Sequence, residues 1–136
     1  MNLSAEEQFH ELSFYTLSHK SPAFIHQHIV DAYGAQMANE NTKPIAIIFS
    51  LVGLYLYIEK GYTGRQVQQM HMKMAKNKQV WPGIFLPQQK GRITITDVLS
   101  AAPGSQRDEM IREWCAAVWD TYEKSRDIII GLVNKY

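Results

Sequence analysis

Apolar residues recur at helical spacing along most of the chain, and cap and stop residues mark the breaks between the runs. Ser4 and Glu7 form a capping box ahead of the first run, since the hydroxyl and the carboxylate can each satisfy a free backbone N–H. Phe9, Leu12 and Thr16 share one face, with His10, Phe14 and Leu17 beside them, so the first helix is expected to run from Ser4 to His19–Lys20. The second is expected to start at Ser21, with Pro22 in its first turn, where the missing N–H costs nothing, and to run to Ala38. A polar break, Asn39 to Thr42, follows. Thr42 then caps a third helix with Pro44 in its first turn, ending at Glu59–Lys60 before Gly61, a natural left-handed stop. That helix is apolar nearly all round, the mark of a central helix covered on several sides. Thr63 and Gln66 form a second capping box for a fourth helix, with Val67, Met70, His71 and Met74 inward and Lys73, Lys76 and Lys78 outward.

The pattern then loosens. Trp81-Pro82-Gly83 and Leu86-Pro87 interrupt any helix between Val80 and Arg92, and the apolar Trp81, Ile84, Phe85 and Leu86 suggest a connection lying on the body of the protein. Arg92 to Thr96 alternates like a short extended segment with no partner strand. Thr96 can cap a short helix from Asp97 to Ala101, and Pro103-Gly104 breaks the chain again. Met110, Ile111, Trp114, Val118, Tyr122 and Ile129 keep a helical period through one long last helix, Ser105 to Asn134. The expected fold class is all-α: residues 1–136 as a single helical domain, a bundle of about five helices with one irregular Trp-Pro-containing connection.

Composition narrows the class without changing it. The chain has 136 residues, 46% hydrophobic and 20% charged, with a net charge of +1, as in soluble globular proteins. Its single cysteine, Cys115, excludes an internal disulfide and fits a reducing cytoplasm. Met1 to Glu7 is acidic with no apolar run, so no signal peptide is expected. The uncharged stretch Pro44–Ile58 is shorter than the ~20 residues of a membrane span. Charge is uneven: Lys60, Arg65, Lys73, Lys76, Lys78, Lys90 and Arg92 occur with no acid between positions 60 and 96. A solvated basic face explains this run, and a patch for an anion or nucleic acid is the sharper alternative. The run lacks the aromatic interleaving of single-strand binders.

Polar chemistry concentrates in the second helix. His26 and His28 are two positions apart, about 200° of rotation, so they cannot share one metal ion from a regular helix. His26, Val30, Tyr33 and Met37 share one face, and His28, Asp31, Ala32 and Ala35 another. A His28–Asp31 pair at i, i+3 reads as an ion pair on the surface or at an interface. The first face, with His26 and Tyr33, is the one expected to meet the third and fourth helices and to carry function. Asp31, Tyr33 and Gln36 lie within one and a half turns among apolar neighbours, so at least one is buried and needs partners. Tyr55 and Tyr57 on the third helix raise the same question, and Gln68 with His71 on the fourth could form the opposite wall. His10, His26 and His71 each sit beside an apolar stripe of a different helix, and three imidazoles would make an open site for a divalent metal if they converged. Trp81, Trp114, Trp119 and Tyr122 pack in a core by default, an aromatic pocket or dimer face being the alternative. Cys115 reads as a small buried thiol. The sequence holds no phosphate-binding glycine loop, Cys-x-x-Cys, His-Glu-x-x-His or nucleophile elbow.

The block from Phe24 to Gln36, with its His-Gln-His-x-x-Asp-Ala-Tyr-x-x-Gln pattern, resembles the signature of a bacterial family of unknown function. Thr42-Lys43-Pro44-Ile45, Leu51 to Leu56, Gly64 to Gln68 with His71-Met72, Trp81-Pro82, Asp97-Val98-Leu99, and Trp114 with Val118-Trp119 continue the resemblance in order. It implies no activity. Some relatives carry an N-terminal cysteine pair that would suggest a metal, and this chain has none there. The resemblance groups His26, Asp31, Tyr33, Gln36, His71 and Trp81 in one constellation. With Tyr55 and Gln68 these make a histidine-lined pocket for a small ligand or metal ion, with acid–base or metal-assisted chemistry open. The alternatives are a structural or interaction module, a homodimer whose polar residues form buried networks, and an anion or nucleic-acid binder at residues 60–92.

Overall fold

Pro44–Lys60 is the axis of the molecule. The structure, a computed structural model, describes residues 3–19, 23–77 and 79–136. It places seven α-helices in these residues: α1 (Ala5–Leu17), α2 (His26–Gln36), α3 (Pro44–Lys60), α4 (Gly64–Ala75), α5 (Ile95–Ser100), α6 (Ser105–Thr121) and α7 (Arg126–Val133). The helix α3 is apolar all round because it is enclosed by α2, α4, α6 and α7, and every residue from Ser50 to Leu56 is buried. Leu12, Ile29, Leu51, Leu54, Trp114, Val118 and Ile129 form the centre of the core.

The expected caps are realised where the chemistry was complete. Ser4 Oγ accepts from Glu7 N–H at 3.1 Å, and Thr63 with Gln66 forms the full reciprocal box. Gly61 closes α3 in the left-handed region at φ 70°. Thr42 does not cap α3: its hydroxyl accepts from Asn39 N–H at 3.0 Å instead, and Lys43 is the cap residue. The expected start of the second helix at Ser21-Pro22 lies outside the described residues, as do Lys20 and Lys78.

The count of about five helices is corrected to seven. The extended segment 92–96 with a helix beginning at Asp97 is replaced by a helix from Ile95, because Asp97 Oδ2 accepts from Thr94 N–H at 2.8 Å and moves the cap to Thr94. Ile93 and Ile95 alternate as in a strand, but both are buried against the helices. The long last helix breaks after Thr121. Tyr122 is fully buried and its hydroxyl donates to Ala35 O at 2.6 Å, which fixes the backbone out of the helical region; a 3-10 turn (Glu123–Ser125) follows. The break returns α7 onto α3, where Ile129 and Leu132 are buried and Arg126 pairs with Glu59. Tyr15 ties α1 to the start of α6, donating to Asp108 Oδ1 at 2.8 Å and accepting from Gly104 N–H at 2.9 Å. Among the described residues no helix is long and apolar enough to cross a membrane.

Candidate functional site

α2 lies antiparallel on α3, and three successive pairs set the register. His28 stacks on Tyr57, Asp31 faces Gly53, and Gly34 faces Ser50. Both glycines are there for close approach. A Cβ on Gly53 would fall 1.9 Å from Asp31 Oδ2, and one on Gly34 would fall 2.7 Å from Ser50 Oγ. With Ala32 and Ala35 also buried, the small residues of α2 turn the His28–Asp31 side inward.

This reverses the expectation from sequence. His28 and Asp31 are each only 2% exposed and sit in the core rather than on a surface or at an interface, while His26 and Tyr33 are half-buried. The two groups are not an ion pair either. Asp31 Oδ1 accepts from Gln27 Nε2 at 3.1 Å, and Asp31 Oδ2 has no hydrogen-bond partner. The His28 ring lies nearly parallel on the Tyr57 ring, centroids 3.5 Å apart, and its Nδ1 also has no partner. Among the described residues one other buried side-chain atom is in this position, Ser125 Oγ in the 3-10 turn. From α6, Cys115 donates its S–H to the His28 carbonyl at 3.5 Å. Burial sets the charge state of the whole group. It raises the Asp31 carboxyl well above its usual range, lowers the His28 imidazole to about 4, raises the Cys115 thiol, and raises the Tyr57 phenol to about 12. Burial therefore favours the uncharged form of all four side chains.

The cluster is connected outward. Gln68 Nε2 on α4 donates to Gln27 Oε1 at 3.2 Å, and Gln27 in turn donates to Asp31, so an amide chain links half-buried Gln68 to the buried carboxyl. Next to this chain, Phe24 has φ 49°, a left-handed conformation that is a strained outlier for a bulky residue. Arg65 lies 4.4 Å over the Phe24 ring, and Gly64 N–H donates to Ala23 O at 2.6 Å. Gly64 permits this approach, since a Cβ there would lie 1.9 Å from Phe24 O. Backbone strain of this kind tends to persist at binding sites.

The remaining candidates go elsewhere. His26 Nδ1 meets Thr16 Oγ1 at 2.9 Å; the Thr16 proton goes to Ser13 O, so the imidazole is the donor. Tyr33 stacks on Phe9, centroids 4.3 Å apart. Gln36 is a bracket: its Nε2 donates to Lys90 O at 2.9 Å and Ile93 O at 2.8 Å, and its Oε1 accepts from Trp114 Nε1 at 2.9 Å. Tyr55 is buried beside Trp119. His71 Nε2 donates to Phe49 O at 2.8 Å, and His71 and Trp81 both lie on the Phe49 ring. Of the expected pocket, the structure brings together Asp31 and Gln68 through Gln27, and separately His71 and Trp81 through Phe49.

The three-histidine metal site is not formed. His10 is exposed on α1, His26 is held by Thr16, and His71 is held by Phe49, so they are not ligands of one ion. No group of three His, Cys, Asp or Glu side chains among the described residues is placed to hold a metal. The basic run is also divided. Arg65 covers Phe24, and Lys90 Nζ donates to Ala38 O at 2.8 Å.

Sequence places Tyr57 with Tyr55 among the candidate pocket residues, whereas it does not single out Gln27 or Gly53 as site residues. The signals that could have found them are a glycine inside the apolar α3 and the Ala32–Ala35 pair on the His28 side of α2. The model of one family, the family of unknown function DUF5946, matches residues 4–123. The chain belongs to this family. The family match spans the chain from the N-cap of α1 to the turn after α6, and so includes every residue of the buried cluster and its amide chain. No curated protein and no solved structure matches.

Proposed function

We propose that this member of the family is a small-molecule-binding protein, with its site at the seam of α2, α3 and α4. Phe24, Arg65, Gln27 and Gln68 form the rim, and Asp31 and His28 the floor. One observation carries this reading: two polar atoms in the core, Asp31 Oδ2 and His28 Nδ1, lack partners. Each such group costs about 1–3 kcal/mol, and native proteins keep few of them without a use. Uncharged Asp31 can donate one hydrogen bond, His28 can donate or accept one, and the Gln68 amide has capacity left over. The ligand class that fits is a small, neutral molecule carrying both donors and acceptors. The one free cysteine supports a cytoplasmic setting.

A rival reading is a structural module. Gln36 favours it, because both ends of its amide are spent within the chain. A thermal-shift panel of small neutral polar compounds against wild type and Asp31→Asn separates the two. The binding reading expects a compound that raises the wild-type Tm and loses its effect in Asp31→Asn. If no compound shifts the wild type and Asp31→Asn lowers stability, the structural reading stands.

A further inference from the structure

The geometry around His28 and Asp31 points to a proton-responsive seam, and we infer that α2 packs on α3 only while both side chains are uncharged. The inference concerns the same pair as the binding site but does not rest on a ligand, and its test uses the unliganded protein.

The surroundings offer neither charged form a counter-charge. From α3, Asp31 meets the backbone of Gly53 and His28 meets the face of Tyr57. From α6, the neighbour is Cys115, whose thiol is held protonated by burial. Arg112 acts at the Tyr57 phenol and the Cys115 thiol, and Asp108 at the phenol, with the guanidinium 5.9 Å from the Tyr57 ring centroid. From α4 the contact is the neutral Gln68 amide, and α1 meets α2 through Thr16 and Phe9. An ionised Asp31 would keep one amide hydrogen bond for its two oxygens, and a protonated imidazole would bury an Nδ1–H that has no partner. Gly53 leaves no slack, since the carboxyl fills the space a Cβ would take.

The two residues respond to pH with opposite signs. His28 is depressed to about 4 in the folded chain against 6.5 when free, so between these values the unfolded chain holds the extra proton and acidification favours unfolding. Asp31 is raised above 3.8, so above that value the folded chain holds the extra proton and acidification favours folding. Above about pH 4 the two residues therefore act on the seam in opposite directions.

The test is urea unfolding of wild type, Asp31→Asn and His28→Phe across about pH 4 to 8, since phenylalanine preserves the stack on Tyr57. Relative to wild type, the folded-to-unfolded ratio of Asp31→Asn falls on acidification towards about pH 4, by at most about tenfold per pH unit. That of His28→Phe rises on acidification from about pH 6.5 to 4. Variants whose profiles parallel wild type overturn the inference. The imidazole resonances of wild-type His28 supply a check independent of the variants. They stay those of a neutral ring down to about pH 4 if the inference holds, and titration near 6.5 refutes it.

Discussion

At the scale of single residues, most buried polar groups are spent on holding the chain together, and Gln36 shows it most clearly. It joins α2 to the 90–93 segment and to Trp114 on α6. Gln36→Leu strands a buried indole N–H and two carbonyls, so urea denaturation should show a loss of at least about 2 kcal/mol. Tyr122→Phe removes one hydrogen bond to Ala35 O and should cost about 1 kcal/mol in the same assay. Sequence identified Asp31, Tyr33 and Gln36 as a set of which at least one needs buried partners, because polar side chains among Ile29, Val30 and Ala32 cannot all reach solvent; Asp31 and Gln36 are the buried ones. It expected the His26–Tyr33 face of α2 to meet α3, whereas the His28–Asp31 face packs there. The apolar pattern of that helix is weak on both sides, and what decides its orientation is Gly53, twenty-two positions beyond Asp31 (53 − 31 = 22).

At the scale of elements, caps and stops were legible wherever side chain and backbone partners are local: Ser4, Gly61, and Thr63 with Gln66. Boundaries set by distant contacts were not. The end of α6 depends on Tyr122 reaching Ala35, and no glycine or proline at that point announces it. The close packing of α2 on α3 gives the sharpest element-scale prediction. Gly53→Ala forces the Asp31 carboxyl to move, at a cost of about 1–3 kcal/mol by urea denaturation. Asp31→Ala opens that space, so Gly53→Ala should cost much less in the Asp31→Ala background. A double-mutant cycle reads the coupling, and additive losses would refute the close contact.

At the scale of the whole molecule, the protein is an all-helical bundle around α3, with titratable groups buried where an aliphatic core would serve stability better. The helical class followed from periodicity, since each amphipathic run carries its own evidence. The convergence of α2, α3, α4 and α6 on one polar cluster did not, because it depends on packing register. The family match includes all of this cluster, and the proposed binding site rests on the partnerless atoms of His28 and Asp31. The most direct measurement is the urea-unfolding free energy of Asp31→Asn against wild type at pH 7. If the carboxyl is kept for binding, the substitution raises stability by about 1 kcal/mol or more, because it removes the cost of a buried ionisable group while Oδ1 still accepts from Gln27. A loss of stability of that size would mean that Asp31 holds the fold together, and would contradict the account.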